Sequence, residues 1–172
     1  MMKPLFYIIS LFPKSLFIFL VDTYLFINFF RLFKSYKVTK ANLKIAYPEL
    51  NLSSINLLSK LSIRESIISG YETIYTWGRR DIESNSQIFR IENKFLLNNL
   101  INKRRGLIAV AIHNRSVDML LRWLNSNVTT VSLYKKIKIK FLDTFVKKER
   151  ERGGSKSVET GISGVRKILN AL

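Results

Sequence analysis

The chain has 172 residues, of which 47% are apolar, and its 29 lysines and arginines against 12 aspartates and glutamates give a net charge of +17. This length allows one domain with a modest core, and the apolar fraction is too low for a protein that crosses a membrane many times. The charge favours anionic partners such as nucleic acid, acidic lipid or an acidic carrier protein. The absence of cysteine excludes disulfides and thiolate metal sites, and with one histidine a zinc site is not expected.

The most apolar part of the chain covers residues 4–33. A helix that crosses a bilayer needs about 20 mainly apolar residues, and this segment is long enough, although Lys14 and Asp22 interrupt it. Either charge costs ~2.5–3.5 kcal/mol at the bilayer centre. We therefore expect residues 1–36 to be a retained membrane anchor, either a tilted span or a helix in the interface. A buried core helix and a cleaved signal peptide are the less favoured alternatives.

Basic residues begin where the apolar segment ends. They are Arg31, Lys34, Lys37, Lys40 and Lys44. Each lysine near anionic headgroups contributes ~1 kcal/mol to membrane binding. The positive-inside rule places the part of the chain that carries these residues, and the domain after it, in the cytoplasm. The helix that holds them is expected to end before Pro48, because proline disfavours a helical residue in front of it.

Helical and strand patterns then follow along the rest of the chain. Ser53 or Ser54 can cap a long helix to about Trp77, whose apolar stripe is Leu57, Leu58, Leu61, Ile68, Tyr71, Ile74 and Tyr75. The later expected elements are a strand over 88–91, a helix over 93–103, a helix over 119–125, a strand over 128–134, a basic helix over 137–150, a polar loop over 155–160 and a helix over 161–172.

The candidate catalytic residues lie in the segment from Gly106 to Asp118. Six apolar residues, Leu107 to Ile112, follow the glycine without polar alternation, which is typical of a strand buried on both faces of a parallel sheet. His113 ends this strand, at the edge where ligand crevices form in open α/β sheets. Asp118 begins the next helix, and a turn can bring its carboxylate onto the imidazole. Asp118 would then orient His113 and leave the other ring nitrogen as a general base.

This pair has no obvious nucleophile beside it. Cysteine is absent, and Ser116 lacks the residues of a strained nucleophile turn. A histidine and a carboxylate without a nucleophile suit direct transfer, in which the substrate's own hydroxyl is deprotonated and attacks. The alternative is that His113 is simply a polar residue after a strand.

His113 to Asp118 resembles the H-x-x-x-x-D/E motif of the glycerolipid and lipid A acyltransferases. Asn42-Leu43 and Tyr47-Pro48-Glu49 resemble the segment that follows the N-terminal anchor in the lipid A biosynthesis acyltransferases. Tyr134-Lys135 and Arg150-Glu151-Arg152 are similar to later motifs of the same family. The chain departs from the family at Asn114, Arg115 and Ser116, where aromatic residues are usual, and at Asp118, where Glu is commoner.

The resemblance implies an incomplete acyltransferase-like α/β fold, in which an N-terminal membrane-anchor helix precedes a helix-flanked mixed or parallel sheet. Residues 37–172 would be a partial acyltransferase domain that lacks the C-terminal part of a usual family member. The implied reaction moves a fatty acyl chain from acyl carrier protein to a hydroxyl of a lipid A precursor, on the cytoplasmic side of the bacterial inner membrane.

The resemblance also implies roles for particular residues. His113 would be the base and Asp118 its orienter, and Arg150 or Arg152, with Lys135, would hold anionic groups of the acceptor. No metal, cofactor or nucleic acid is expected, and anionic membrane lipid is an expected partner. The alternatives are a glycerophospholipid acyltransferase, or an inactive or truncated family member that acts only as a basic membrane-bound protein.

Overall fold

The computed structural model describes residues 2–112 and 115–172, a mostly helical stretch with one small sheet. Its elements are α1 Met2–Ser10, α2 Lys14–Phe26, α3 Lys34–Ala46, α4 Leu52–Gly78, α5 Asp81–Asn85, α6 Lys94–Asn102, α7 Val117–Asn125, β1 Val131–Tyr134, α8 Lys140–Arg150, β2 Lys156–Glu159 and α9 Ile162–Leu169. Short 3₁₀ turns lie at Phe29–Leu32 and Arg152–Gly154.

The longest helix, α4, packs against α1, α2, α3 and α7. Its start is set by Asn51, whose side chain accepts a hydrogen bond from the backbone N–H of Ser54 at 2.9 Å. The predicted cap at Ser53 or Ser54 was therefore two or three residues late. An Asn cap satisfies one of the N–H groups that the first helical turn leaves unpaired.

The N-terminal apolar segment forms two helices, and the expectation of a single anchor helix was wrong. Pro13 separates α1 from α2, because proline has no N–H to donate and disfavours a helical residue before it. Among the described residues no single helix has the length and apolarity to cross a bilayer. Lys3–Ser10 and Lys14–Phe26 meet those criteria together, as a pair bent by 82°.

One face of this segment belongs to the core. Val21 and Leu25 of α2 cluster with Phe30, Tyr36 and Ile63, all of them buried. The opposite face remains open, and large apolar side chains on it are well exposed. Examples are Phe19 at 65%, Phe26 at 81% and Ile27 at 67%. The segment is thus half core and half apolar surface.

The two charges that interrupt the apolar segment both pair with α4. Lys14 Nζ lies 2.8 Å from Glu72 Oε1. Arg64 donates to both oxygens of Asp22, at 2.6 and 3.0 Å. These pairs give each charge a partner where the segment packs on the helix, so the charges are compatible with its otherwise apolar character.

The sheet of the described chain consists of β1 and β2, which run parallel with Val131 opposite Lys156 and Tyr134 opposite Glu159. The crossover contains α8, as parallel neighbours require a long connection. The strand predicted over 128–134 is confirmed over its last four residues. The polar loop predicted over 155–160 was wrong: Lys156–Glu159 is a strand, too short and too polar to be recognised without its partner.

Two other predicted strands do not form. Residues 88–91 and Leu107–Ile112 both lie outside any helix or strand. The side chains of Ile108, Val110 and Ile112 are 70%, 92% and 82% exposed, so the prediction of burial on both faces was wrong. A strand needs a neighbour to take its backbone N–H and C=O groups, and neither β1 nor β2 pairs with this segment.

The packing of α1 on α4 can be tested at Gly78. A Cβ there would lie 2.5 Å from the Phe6 backbone oxygen, whereas a Cβ at Gly70 on the same helix meets nothing within 4 Å. We expect Gly78→Ala to lower the free energy of unfolding by about 1–3 kcal/mol through overpacking. Gly70→Ala should raise it by about 0.5–1 kcal/mol. Denaturant unfolding of the full chain in detergent measures both, and equal stability of the two variants would contradict the packing described.

Candidate active site

The predicted base, His113, lies outside the described residues, together with Asn114. The described part of the site therefore consists of the residues that follow these two and of those that contact them. Arg115 and Ser116 continue the chain after the histidine, and Asp118 lies in the first turn of α7. The other predicted residues are Lys135, directly after β1, Arg150, at the end of α8, and Arg152, in the following 3₁₀ turn.

Asp118 is paired with Arg150. The Nε of Arg150 donates to Oδ1 of Asp118 at 2.8 Å, and its Nη2 lies 3.4 Å from Oδ2. The Asp118 side chain is 10% exposed and that of Arg150 is 27% exposed. Two residues predicted for separate roles thus meet, and the guanidinium holds the carboxylate at the start of α7. A carboxylate in a first helical turn also faces unpaired backbone N–H groups, which favour negative charge there.

A buried ion-pair network fixes α7 against α8. Arg122 of α7 donates to Asp81 at 2.7 Å and to Glu149 of α8 at 3.3 Å. The side chains of Arg122 and Glu149 are each 3% exposed. Arg122 lies one turn after Asp118, and Glu149 precedes Arg150. The network therefore sets the helix positions at which the Asp118 and Arg150 side chains meet.

The other two predicted anion-binding residues lie elsewhere. The Nε of Arg152 forms an ion pair with Glu149 at 3.0 Å and its Nη1 donates to Asp81 at 3.4 Å, so its guanidinium belongs to the same network. Lys135 is exposed and makes no hydrogen bond or ion pair within the described ranges. Of these predicted residues, only Arg150 is seen in contact with Asp118.

The segment after His113 is tied to α4 by Glu72, a residue that the sequence analysis did not single out. Arg115 donates to both oxygens of Glu72, from Nε at 3.0 Å and from Nη2 at 2.7 Å. The hydroxyl of Ser116 also donates to Glu72, and the backbone N–H of Ser116 lies 3.3 Å from the Ser69 hydroxyl. Arg115 reaches Glu65 as well. The segment is therefore held over one face of α4.

Glu72 is a buried charge, 5% exposed, within the predicted apolar stripe of α4. Burial alone would raise the pKa of its carboxyl. Hydrogen bonds from Arg115, Lys14 and Ser116 outweigh burial and hold the pKa at about 2. The hydrogen bond to Glu72 in turn raises the pKa of Arg115. No sequence pattern marked Glu72, because its partners lie more than forty positions away on either side.

A cavity of about 230 Å³ adjoins this cluster. It lies between the bend that joins α1 to α2, the last turns of α4 and the first turn of α7. Its lining mixes rings with charged groups and includes Phe12, Lys14, Tyr71, Glu72, Arg79 and Met119. Its position beside Glu72 makes it a space that a substrate group could enter. Within residues 2–112 and 115–172, no three His, Asp or Glu side chains gather in a way that could hold a metal ion.

The comparison with known families identifies the class. The chain is an acyltransferase-family protein, matched over residues 4–172 by the family described as bacterial lipid A biosynthesis acyltransferase. Because the match covers nearly the whole chain, the chain belongs to that family, and the resemblance seen in its motifs is confirmed. No curated protein sequence matches it.

The low pKa of Glu72 predicts acid lability. The folded-state pKa of about 2 lies below the ordinary 4.5, so the stabilisation is complete above pH 4.5 and is lost as the pH falls towards 2. It amounts to roughly 3 kcal/mol. Glu72→Gln should therefore be less stable than wild type above pH 4.5, and the gap should close on acidification. Denaturant unfolding across this range measures it.

Glu65→Gln is the matched control for this titration. Glu65 lies on the same helix and also pairs with Arg115, but its side chain is 41% exposed against 6% for Glu72. Its removal should change stability by no more than ~1 kcal/mol. A gap between wild type and Glu72→Gln that stays constant between pH 4.5 and 2 would show that Glu72 is not the titrating group.

Proposed function

We propose that this protein moves a fatty acyl chain from an acyl carrier protein thioester to a hydroxyl of a lipid A precursor. Membership of the lipid A acyltransferase family carries the reaction class and the lipid A substrate. The acyl donor and the residue roles rest on the His113-to-Asp118 spacing and on the place of Asp118 in the first turn of α7.

The proposed step is a direct transfer. His113 takes the proton of the acceptor hydroxyl as its oxygen attacks the thioester carbonyl, so that a C–O bond forms and the C–S bond breaks. The proton then passes from the imidazolium to the leaving thiolate of the carrier. Asp118 holds the imidazole in the productive tautomer and stabilises its charged form.

Arg150 supports this arrangement from the other side of the carboxylate. It uses two of the five N–H groups of a guanidinium on Asp118, and each carboxylate oxygen can accept more than one hydrogen bond. Asp118 can therefore bind Arg150 and the imidazole together. The remaining donors of Arg150 are available for an acceptor phosphate, which a planar guanidinium suits. Arg152 and Lys135 are proposed as weaker contributors, because within the described residues neither contacts Asp118.

The proposed location is the cytoplasmic side of the bacterial inner membrane. Helices α1 and α2 carry exposed apolar side chains, and the basic helix α3 follows them in the chain. On α3, Lys34, Lys37 and Lys44 are exposed and Lys40 is half-buried. A large apolar surface marks an interaction site, and basic residues at its border favour an anionic bilayer. Net positive charge also suits an acidic carrier protein.

The catalytic proposal is tested by removing the pair. His113→Ala should lower kcat by about 10²–10⁴, the usual worth of general base catalysis. Asp118→Asn should cost a comparable factor, and Arg150→Ala should raise the KM for the acceptor and also lower kcat, since it orphans Asp118. The measurement is acyl-carrier-protein-dependent transfer to a lipid A precursor by the full chain in detergent.

Glu159→Gln is the control for this series, because Glu159 is 56% exposed and its carboxylate pairs with Lys136 at the surface. It should leave kcat unchanged. Full activity in His113→Ala would end the catalytic assignment, and transfer that proceeds equally without the carrier thioester would exclude the proposed donor.

The membrane proposal predicts salt-sensitive binding through α3. Replacing Lys34, Lys37 and Lys44 with Gln should weaken binding to vesicles that contain anionic lipid by ~1 kcal/mol for each lysine. The effect should fade at high salt, because exposed charges are screened within ~8–10 Å at physiological ionic strength. Co-sedimentation measures it, with Lys138, Lys148 and Lys156→Gln as a charge-matched control. Equal binding by both triple variants would rule out α3 as the contact.

A further inference from the structure

We propose that Glu72 is a positioning residue for the transfer reaction, which holds the segment between His113 and α7 in place on α4. This inference rests on the proposed function. It comes from the side chains that replace the usual aromatic residues of the family motif. Arg115 and Ser116, the second and third residues after His113, both direct their polar groups to the Glu72 carboxylate.

Through Ser116, the contact with Glu72 constrains both members of the proposed catalytic pair, His113 and Asp118. Its carbonyl accepts hydrogen bonds from the N–H groups of Met119 and Leu120, each at 3.0 Å, so it starts the helix that carries Asp118. Ser116 is also three residues from His113, which limits the separation of their Cα atoms to about 10 Å. A contact that fixes Ser116 therefore restricts base and orienter together.

The backbone at Ser116 needs such support. Its φ is +53°, in the left-handed region that non-glycine residues seldom adopt. This conformation costs about 1–3 kcal/mol and persists only where the surroundings hold it. The Ser116 hydroxyl on Glu72 and the Ser116 N–H near Ser69 supply two contacts from the same helix.

The groups that face Glu72 come from separate elements and can be removed one at a time. Lys14 approaches from the start of α2, and Arg115 and Ser116 approach from the motif segment. Glu65 is one step removed, because it pairs with Arg115 and Arg64. Only the Arg115 and Ser116 contacts reach the motif. A positioning role therefore predicts that loss of Arg115 mimics loss of Glu72.

The first arm of the test measures catalysis by the full chain in detergent. Misplacement of a catalytic group by about 1 Å can cost ~10²-fold in rate, so Glu72→Gln and Arg115→Gln should each lower kcat by about that factor, with the KM for the lipid acceptor unchanged. The double variant should be no slower than the slower single variant, as expected for residues that act through one contact. Glu159→Gln, whose carboxylate pairs with Lys136 at the surface, should retain the wild-type kcat.

The second arm does not depend on activity. His113 is the only histidine in the chain, so an imidazole-labelled sample gives one set of NMR signals. Glu72→Gln and Arg115→Gln should shift these signals and change the tautomer ratio. Asn51→Ala, which removes the cap at the other end of α4, should not. Arg115→Gln also serves if Glu72→Gln does not fold, since the Arg115 side chain is 35% exposed.

The outcomes separate the two proposals. Unchanged kcat and unchanged imidazole signals in Glu72→Gln would overturn the positioning role and leave the proposed function intact. Independent, multiplicative losses in the double variant would also overturn it. A wild-type chain without transfer activity would count against the proposed function, and the imidazole signals of the same variants would still decide whether Glu72 positions the segment.

Discussion

The buried carboxylate of Glu72 requires cationic and hydrogen-bond-donating partners, and these come from segments that lie far apart in the chain. A carboxylate taken out of water costs several kcal/mol unless charged and hydrogen-bonding partners replace the water. Glu72 obtains them from Lys14 and from the Arg115–Ser116 segment. The N-terminal helix pair, α4 and the catalytic motif segment must therefore occupy fixed positions around one charge, and the cavity beside Glu72 lies where they converge.

A second set of charges performs the same task for α7 and α8. The buried pair of Arg122 and Glu149 brings the two helices together, and Asp118 meets Arg150 one turn along. Hydrophobic burial is non-directional, so it cannot by itself set which residues of two helices face each other. Directional ion pairs can, because each guanidinium fits a carboxylate in few orientations. The candidate site is thus held by electrostatic contacts on both sides.

The helices were largely predictable from the sequence because their signals are local. Pro48 marks the end of α3 and apolar periodicity marks α4, whereas the break at Pro13 and the Asn51 cap were missed. The stripe of α4 was only partly right, since Leu57 and Leu61 are 58% and 45% exposed while Ser59 and Thr76 are fully buried. Those two hydroxyls donate to backbone carbonyls of their own helix, which lets polar residues face the core.

Features that depend on distant partners were not predictable. Lys156–Glu159 becomes a strand because β1 lies beside it, and Leu107–Ile112 does not become one, since apolar character cannot supply a neighbouring backbone. The sequence showed Lys14 and Asp22 as costs to an anchor, while their partners on α4 lie far along the chain. Likewise Asp118 and Arg150 were recognised separately by family likeness, but nothing local indicated that they would pair.

The central claim is that the motif segment docks on α4, and disulfide trapping tests it most directly. The chain has no cysteine, so an introduced pair reports a single contact. The Ser69 hydroxyl lies 3.3 Å from the Ser116 N–H, whereas Ser66 of the same helix is exposed. Ser69→Cys with Ser116→Cys should form a disulfide rapidly in the folded protein, and Ser66→Cys with Ser116→Cys should not. Equal rates for the two pairs, or none for the first, would contradict the account.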